Sequence, residues 1–330
     1  MKKLLKVARK RAGLKLFDVK GGVAQLRHVP GDCLVQKVLG PEEMLEDGQY
    51  ITEDGASFER VSVYAEVLAE SAFARSLRPT GAEINVPIGD AAFLLAADAL
   101  HRSGPFTEVF FTSYGQAFSS DQFRIHSVDT PDLVLPEDMK GVRMGKKDLA
   151  TFCKLARMYK AKTIKLAIFT SERGAVCVRG EFGPVSATSL CGAPDDKAEA
   201  FVAALRKFES DAARCAVPVG RLGLKHAEFV AALKAFKGKS PARLAHAYIS
   251  EEGHLCPWGD RRRSAIIAQT SVKHGGGVAI NLGFLKDSGA WDQDFYVARP
   301  GAMGAGQKAS ILISRANGRT MTVSCLRGEL

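Results

Sequence analysis

The chain has no continuous apolar stretch of about 18 residues, so no membrane-crossing helix is expected. Its seven cysteines are scattered and include no C-x-x-C pair. That spacing gives no zinc-ribbon or dithiol-redox signal and fits reduced, mostly buried thiols. Met1-Lys2-Lys3-Leu4-Leu5 opens like a signal peptide, but Lys6, Arg9, Lys10 and Arg11 interrupt any apolar core. Secretion is therefore not expected, and the expected location is cytoplasmic.

Catalytic signatures are also missing. Gly301-Ala302-Met303-Gly304-Ala305-Gly306-Gln307-Lys308 comes near a phosphate-binding loop, but Gln307 displaces the lysine and β-rich sequence follows where a helix is required. It reads as a hairpin loop. His274-Gly275-Gly276-Gly277 has the look of an oxyanion turn, without a G-x-S-x-G nucleophile elbow to partner it. His254, Cys256 and Asp260 lie close together, but no second pair at zinc spacing accompanies them, and they read as a turn. The adjoining Arg261-Arg262-Arg263 fits either a phosphate grip or a solvated turn. His101, His126 and His226 have no assignable nucleophile, and Trp258 and Trp291 read as packing residues. No cofactor, no metal and no catalytic residue is expected.

What the chain does have is excess positive charge: 46 Lys and Arg against 36 Asp and Glu, a net +10 over 330 residues. That balance favours an acidic partner, nucleic acid first. It also has a phrase that returns at a period of roughly 50 residues: a strand, a brief amphipathic helix, then β-rich segments. It reads most clearly as strand Glu83 to Ile88, helix Gly89 to Arg102, and strands Thr107 to Thr112 and Gln122 to Ser127. It returns as Gly141 to Met144, helix Lys146 to Tyr159, and strands Thr163 to Thr170, Ala175 to Arg179 and Val185 to Leu190. It recurs at 219–272 and, shortened, at 277–326. Lys2 to Arg11 reads as a further amphipathic helix ended by Gly13. Residues 14–39 read as β, 40–56 as a polar acidic loop, and 57–78 as strand or helix. Asp195 to Arg214 reads as a long helix with acids in its first turn. Ile311 to Ala316 and Arg319 to Cys325 flank Asn317-Gly318, the signal of a two-residue type I′ hairpin. Few, short helices mixed with strands predict an α+β fold with antiparallel sheets, in three domains: 1–131, a shortened 132–216 ending in a helix, and 217–330.

The charge gathers on helix faces. At about 100° per residue, Leu149, Phe152, Leu155, Ala156 and Tyr159 share one arc of the 146–159 helix, and Lys146, Lys147, Lys154, Arg157 and Lys160 share the other. Asp148 is its single acid. A solvated face ordinarily mixes signs, whereas this one fits phosphate contact. Lys2, Lys3, Lys6 and Lys10 repeat the arrangement in the first helix, and Lys225, Lys234 and Lys237 in the helix Leu224 to Lys237. Helix 89–102 is nearly uncharged. Such a surface would hold a DNA backbone without reading its bases. Aromatics do not interleave with the cations, so a single-strand stacking ladder is disfavoured.

The chain resembles the DNA sliding clamps, the processivity factors of replicative polymerases. Val219-Gly220-Arg221-Leu222 with the helix Leu224 to Lys237 looks like a clamp's opening half-domain. Val278 to Asp287 looks like the strand and short helix of a second half, and Ala82 to Ile88 like the second half of a first domain. Thr320 to Arg327 is similar to the final strand of bacterial clamps. The resemblance implies a non-enzymatic homo-oligomer around duplex DNA, bound without sequence specificity. It implies polymerase or clamp-loader-type partners received at a C-terminal apolar groove bordered by Met321, Val323, Leu326 and Arg327, and no membrane association. The first strand is missing, the middle unit is short, and Cys325 and Leu326 stand where the family has Pro and Met. These departures suit a divergent phage or plasmid version. The alternative on charge alone is a nucleic-acid-processing enzyme or single-strand annealing protein using the same surface.

Overall fold

The computed structural model describes residues 1–9, 13–31, 33–62, 77–97, 104–171, 175–193, 195–223, 246–249, 254–257, 268–269, 278–281, 284, 292–307 and 309–325. The chain forms two compact units. The first comprises Met1–Leu95, Thr107–Ala117 and Thr130–Lys197; the second comprises Ala96–Phe106, Phe118–Asp129 and Ala198–Leu330.

In chain order the strands and helices are β1 (Lys15–Lys20), β2 (Val23–Leu26), β3 (Cys33–Val38), β4 (Gly48–Thr52), β5 (Glu59–Ser62), β6 (Arg78–Pro87), α1 (Ile88–Ala96), β7 (Glu108–Thr112), β8 (Gln116–Ser120) and β9 (Arg124–Asp129). There follow β10 (Gly141–Gly145), α2 (Lys146–Met158), β11 (Thr163–Thr170), β12 (Val176–Phe182), β13 (Val185–Cys191) and α3 (Asp196–Cys215). The C-terminal part contributes β14 (Val217–Gly223), β15 (His246–Ile249), β16 (His254–Pro257), β17 (Ala268–Gln269), β18 (Val278–Asn281), β19 (Asp292–Ala298), β20 (Ile311–Ala316) and β21 (Arg319–Ser324).

The first unit is built on a nine-stranded sheet of order β5-β4-β1-β2-β3-β13-β12-β11-β6, antiparallel at every join. Alternation sets its inner face. On β11, Ile164, Leu166 and Ile168 are buried while Lys165 is exposed, the period-two pattern of a strand covered on one side. α2 supplies the cover, burying Leu149, Phe152, Leu155 and Ala156.

In the second unit, β9, β21, β20, β19 and β14 are neighbours in that order, again antiparallel. A smaller sheet runs β17-β16-β15-β18. α3 packs Ala212, with Ala213 and Cys215, against Ala298, Ile311 and Ile313 of β19 and β20. Small side chains on the helix let its axis approach the sheet closely.

The α+β reading holds, with helices few and sheets antiparallel. The strand–helix–strands phrase is present as β6-α1-β7-β8-β9 and as β10-α2-β11-β12-β13. After β13 a single 20-residue helix, α3, leads directly into β14. The Asn317-Gly318 turn forms with φ of 51° and 72°, both left-handed as a type I′ turn requires.

Three expectations need correction. The N-terminal helix is only a 3₁₀ turn, Leu4–Lys6, because the Arg9 amide donates to the His28 carbonyl at 2.9 Å and leaves the helical path. Residues 40–56 are not wholly loop: β4 lies within them, its inward Tyr50 stacked on Phe17 at 5.4 Å. β8 was not expected; four of its five residues are buried, but three of those four are Ala or Ser. The predicted helix Leu224 to Lys237 and most of 57–78 lie outside the described residues.

Candidate nucleic-acid interface

The sharpest basic face belongs to α2. Gly145 is its N-cap, in extended conformation, and Asp148 sits in its first turn, where a carboxylate complements the helix dipole. Asp148 is buried and points away from the basic arc. Its Oδ2 accepts a 2.8 Å hydrogen bond from the Ser189 hydroxyl on β13. Gly31 must approach it closely: a Cβ there would stand 1.8 Å from Asp148 Oδ1, and φ is +79°. The Thr151 hydroxyl, 3.2 Å from the Pro30 carbonyl, secures the next turn. The thiols around this carboxylate stay neutral. Burial raises the Cys33 and Cys191 pKa values, and Asp148 adds to both.

This arrangement decides the electrostatics of the outer face. The one acid of α2 is turned inward and satisfied, so the exposed residues Lys147, Lys154 and Arg157 leave that side uniformly positive. Among the described residues, no carboxylate comes within ion-pair distance of Lys147, Lys154, Arg157 or Lys160. α3 shows the contrasting, solvated type of face, where Asp211 pairs with Lys207 at 4.0 Å and Arg214 at 3.1 Å.

The helix ends in a Schellman arrangement: Ala161 N–H bonds to Ala156 C=O at 2.9 Å and Lys160 N–H to Arg157 C=O at 3.2 Å. Lys160 takes the left-handed position, φ 57°, that glycine normally fills. It is exposed and carries the cations past the helix end, as does exposed Lys162; Lys165, also exposed, alternates to the face of β11 turned away from α2.

The N-terminal turn joins the same surface. Lys154 Nζ donates to the Lys6 carbonyl. Leu4, Leu5 and Val7 are buried, leaving Lys2, Lys3, Lys6 and Arg9 outside. Glu43 holds this turn, accepting from the Met1 amine and from Lys37. The hydrogen bond from Lys37, then that from the Met1 amine, holds its carboxyl down at about 2.

The structure thus brings Lys6 beside Lys154, with Lys147, Arg157 and Lys160 on the same helix. It does not do so for Lys146, which is 7% exposed and therefore packs against its own unit instead of offering an open phosphate contact. Lys146 is the first residue of α2, directly after β10, and its side chain is enclosed there. Lys10, Lys225, Lys234 and Lys237 lie outside the described residues, as do Leu326 and Arg327.

Met321 and Val323 also need correction. Both are fully buried. β21 pairs with β20 on one side and β9 on the other, so it is a central strand, and its alternate residues enter the core instead of lining an open groove. Thr322, between them, faces α3, where its hydroxyl lies 3.5 Å from Glu209 Oε1. The Ser127 hydroxyl donates to the same oxygen at 3.0 Å. Burial nevertheless outweighs both hydroxyls and pushes the Glu209 carboxyl up to about 7. Sequence reading missed this acid, because a Glu in a mixed-charge helix looks solvated.

A buried ion pair also lay unseen in the sequence. Asp121 accepts from Arg124 Nε at 2.7 Å and caps the turn through the Phe123 and Arg124 amides. The Arg124 guanidinium donates to the Ala96 carbonyl at the end of α1 and covers the Phe284 ring at 4.3 Å. In the glycine-rich loop, Gln307 bonds the Met303 amide and the Ala309 carbonyl, a self-closed hairpin connection between β19 and β20. His126 is a core residue of β9. His101, His226, Asp260, the arginines 261–263, residues 274–277 and both tryptophans lie outside the described residues. Among the described residues no helix is long and apolar enough to cross a membrane.

No family model matches the chain, and neither does any curated protein sequence. Solved structures do match. The DnaN sliding clamp (DNA polymerase III subunit beta) of Bartonella birtlesii, bound to griselimycin, superposes with a TM-score of 0.62 at 14% identity, over 99% of this chain and 96% of that one. The DNA polymerase III beta subunit of Thermotoga maritima gives 0.60 at 13%, with the same coverage. The Helicobacter pylori beta clamp bound to a DNA ligase peptide gives 0.55 at 10%, over 98% of this chain and 96% of that one. The fold is that of the bacterial DNA sliding clamps. At these identities the likeness concerns architecture alone.

Proposed function

We propose that the chain is a DNA-sliding clamp: a non-enzymatic, cytoplasmic processivity factor that assembles with copies of itself around duplex DNA and carries polymerase or clamp-loader-type proteins along it. One observation carries this reading. On a sliding-clamp fold, the single acid of α2 is turned inward, so Lys147, Lys154 and Arg157 form an exposed face of one sign. Phosphates are the partner such a face fits, and bases would go unread. Lys2, Lys3, Lys6 and Lys160 extend the face, and Lys10, Lys225, Lys234 and Lys237 are proposed to join it. Retention is topological, with weak and mobile phosphate contact.

The three-domain division at 131/132 and 216/217 belongs to the same proposal, with α3 closing the short middle domain. So does a partner groove near the C-terminus, bordered by Leu326 and Arg327. A phage or plasmid origin rests on the departures in the sequence.

The test is retention. Loaded on closed circular DNA, the protein should survive salt that abolishes direct binding and leave when the circle is cut. Loss at equal rates from circular and linear DNA rejects the clamp. Salt-dependent binding without retention would leave the single-strand annealing or enzymatic reading of the same surface.

A further inference from the structure

A hollow of about 440 Å³ opens beside the basic arc, lined by Leu95 at the end of α1 and by Ala150, Cys153, Lys154, Arg157 and Met158 of α2. Its size falls in the roughly 300–1,000 Å³ range of small-ligand sites. A surface that only carried phosphates would need no such space. Its lining divides by chemistry. Leu95, Ala150, Cys153 and Met158 make apolar walls, and Lys154 and Arg157 supply the only charges. The Cys153 thiol is itself buried, and burial pushes its pKa up to about 11, so it is a neutral wall that repels no anion. Lys154 is oriented by its bond to the Lys6 carbonyl, which leaves its other two protons for a ligand.

A flat, apolar body joined to an anionic group is the complement of this lining, and a nucleotide has that form. The cations do not stop at the hollow: Lys147 and Lys160 extend them along the helix on either side. A free nucleotide could not use that track, whereas a strand with repeating phosphates can. An intact duplex presents phosphates but keeps its bases stacked, so it would leave the apolar walls uncovered.

We propose that the hollow seats one unpaired nucleobase of a bound DNA strand, with Lys154 and Arg157 holding its adjacent phosphates, so that the surface prefers DNA carrying an extrahelical nucleotide over intact duplex. The proposal rests on the reading of α2 as the DNA-contacting face. A single seat suffices, and no ladder of aromatics is involved. The base is gripped between aliphatic and thioether side chains, which contact π-faces favourably. Exposed Ala150 leaves room for it against the helix.

Three duplexes separate the possibilities: intact, with one extrahelical adenine, and with an abasic bulge of the same backbone. Fluorescence anisotropy should show the adenine bulge bound at least about threefold tighter than the abasic bulge, within the range of a thioether–ring contact. Ala150→Phe, which fills the hollow from an exposed helix position, should bring that ratio to near one. Ala150→Ser, at the same site without filling, should keep it. Melting curves of both variants establish that they fold. Equal binding of the two bulges by the unmodified protein, or a ratio that survives Ala150→Phe, overturns the proposal while leaving the DNA-binding face intact. No salt-dependent binding of any duplex overturns that underlying reading and the hollow's role with it. Free deoxyadenosine monophosphate competing as strongly as the bulged duplex would place a mononucleotide there and overturn the strand-borne assignment.

Discussion

Glu209 offers the most quantitative perturbation in the second unit. Its carboxyl lies between α3 and the sheet, with the Ser127 and Thr322 hydroxyls on Oε1 and Arg315 and Asp129 nearby. It titrates near 7 in the folded chain, against 4.5 as a free carboxyl. The folded protein therefore binds more protons than the unfolded one between those values. Stability falls as pH rises through that window and is level above it. The difference of about 2.5 pH units corresponds to about 3 kcal/mol at most. Glu209→Gln keeps the shape and the acceptor and cannot ionise. Urea denaturation at pH 5, 6, 7 and 8 should show the stability difference between variant and unmodified protein moving in the variant's favour by about 2.5 kcal/mol across that range. Comparing the two proteins cancels every other titrating group. A difference that stays flat across this range would refute the reasoning, and so would a Glu209 titration midpoint near 4.5.

Replacing Lys147, Lys154 and Arg157 together with Ala should flatten the slope of log affinity against log salt by about two to three, at about 0.9 per lost phosphate contact. An unchanged slope, read by anisotropy titrations in graded salt, would remove α2 from the interface. Lys160→Gly should raise stability by about 1 kcal/mol, because glycine takes the left-handed position without a Cβ penalty. The same change should cost about 0.9 of salt slope, so thermal midpoint and DNA affinity should move in opposite directions.

Periodicity alone made much of this fold legible. β11 spans Thr163–Thr170 as expected, α2 ends within one residue of its predicted boundary, and the Asn317-Gly318 hairpin forms as written. These segments carry local signals: a strict alternation, a 3.6-residue arc, a dipeptide that tolerates positive φ. β4 and β8 were not legible because a strand between acids, or one of small and polar residues, has no such signature until its neighbours bury it. The N-terminal segment kept its amphipathic burial but not its helix, since a tertiary hydrogen bond to His28 took the Arg9 amide.

The same division holds for the site. The sequence by itself determined that cations gather on one arc of α2 and that a single acid interrupts them. Only the tertiary structure decided where that acid goes. Ser189 and the close passage of Gly31 draw Asp148 inward, a matter of contacts 41 residues and more apart in sequence, and so leave the outer face of one sign. Tertiary packing also withdrew Lys146, Met321 and Val323 from the surface. Helical and strand periodicity fixes which way a side chain points from its own element; whether solvent or another element waits there depends on neighbours that no local pattern records.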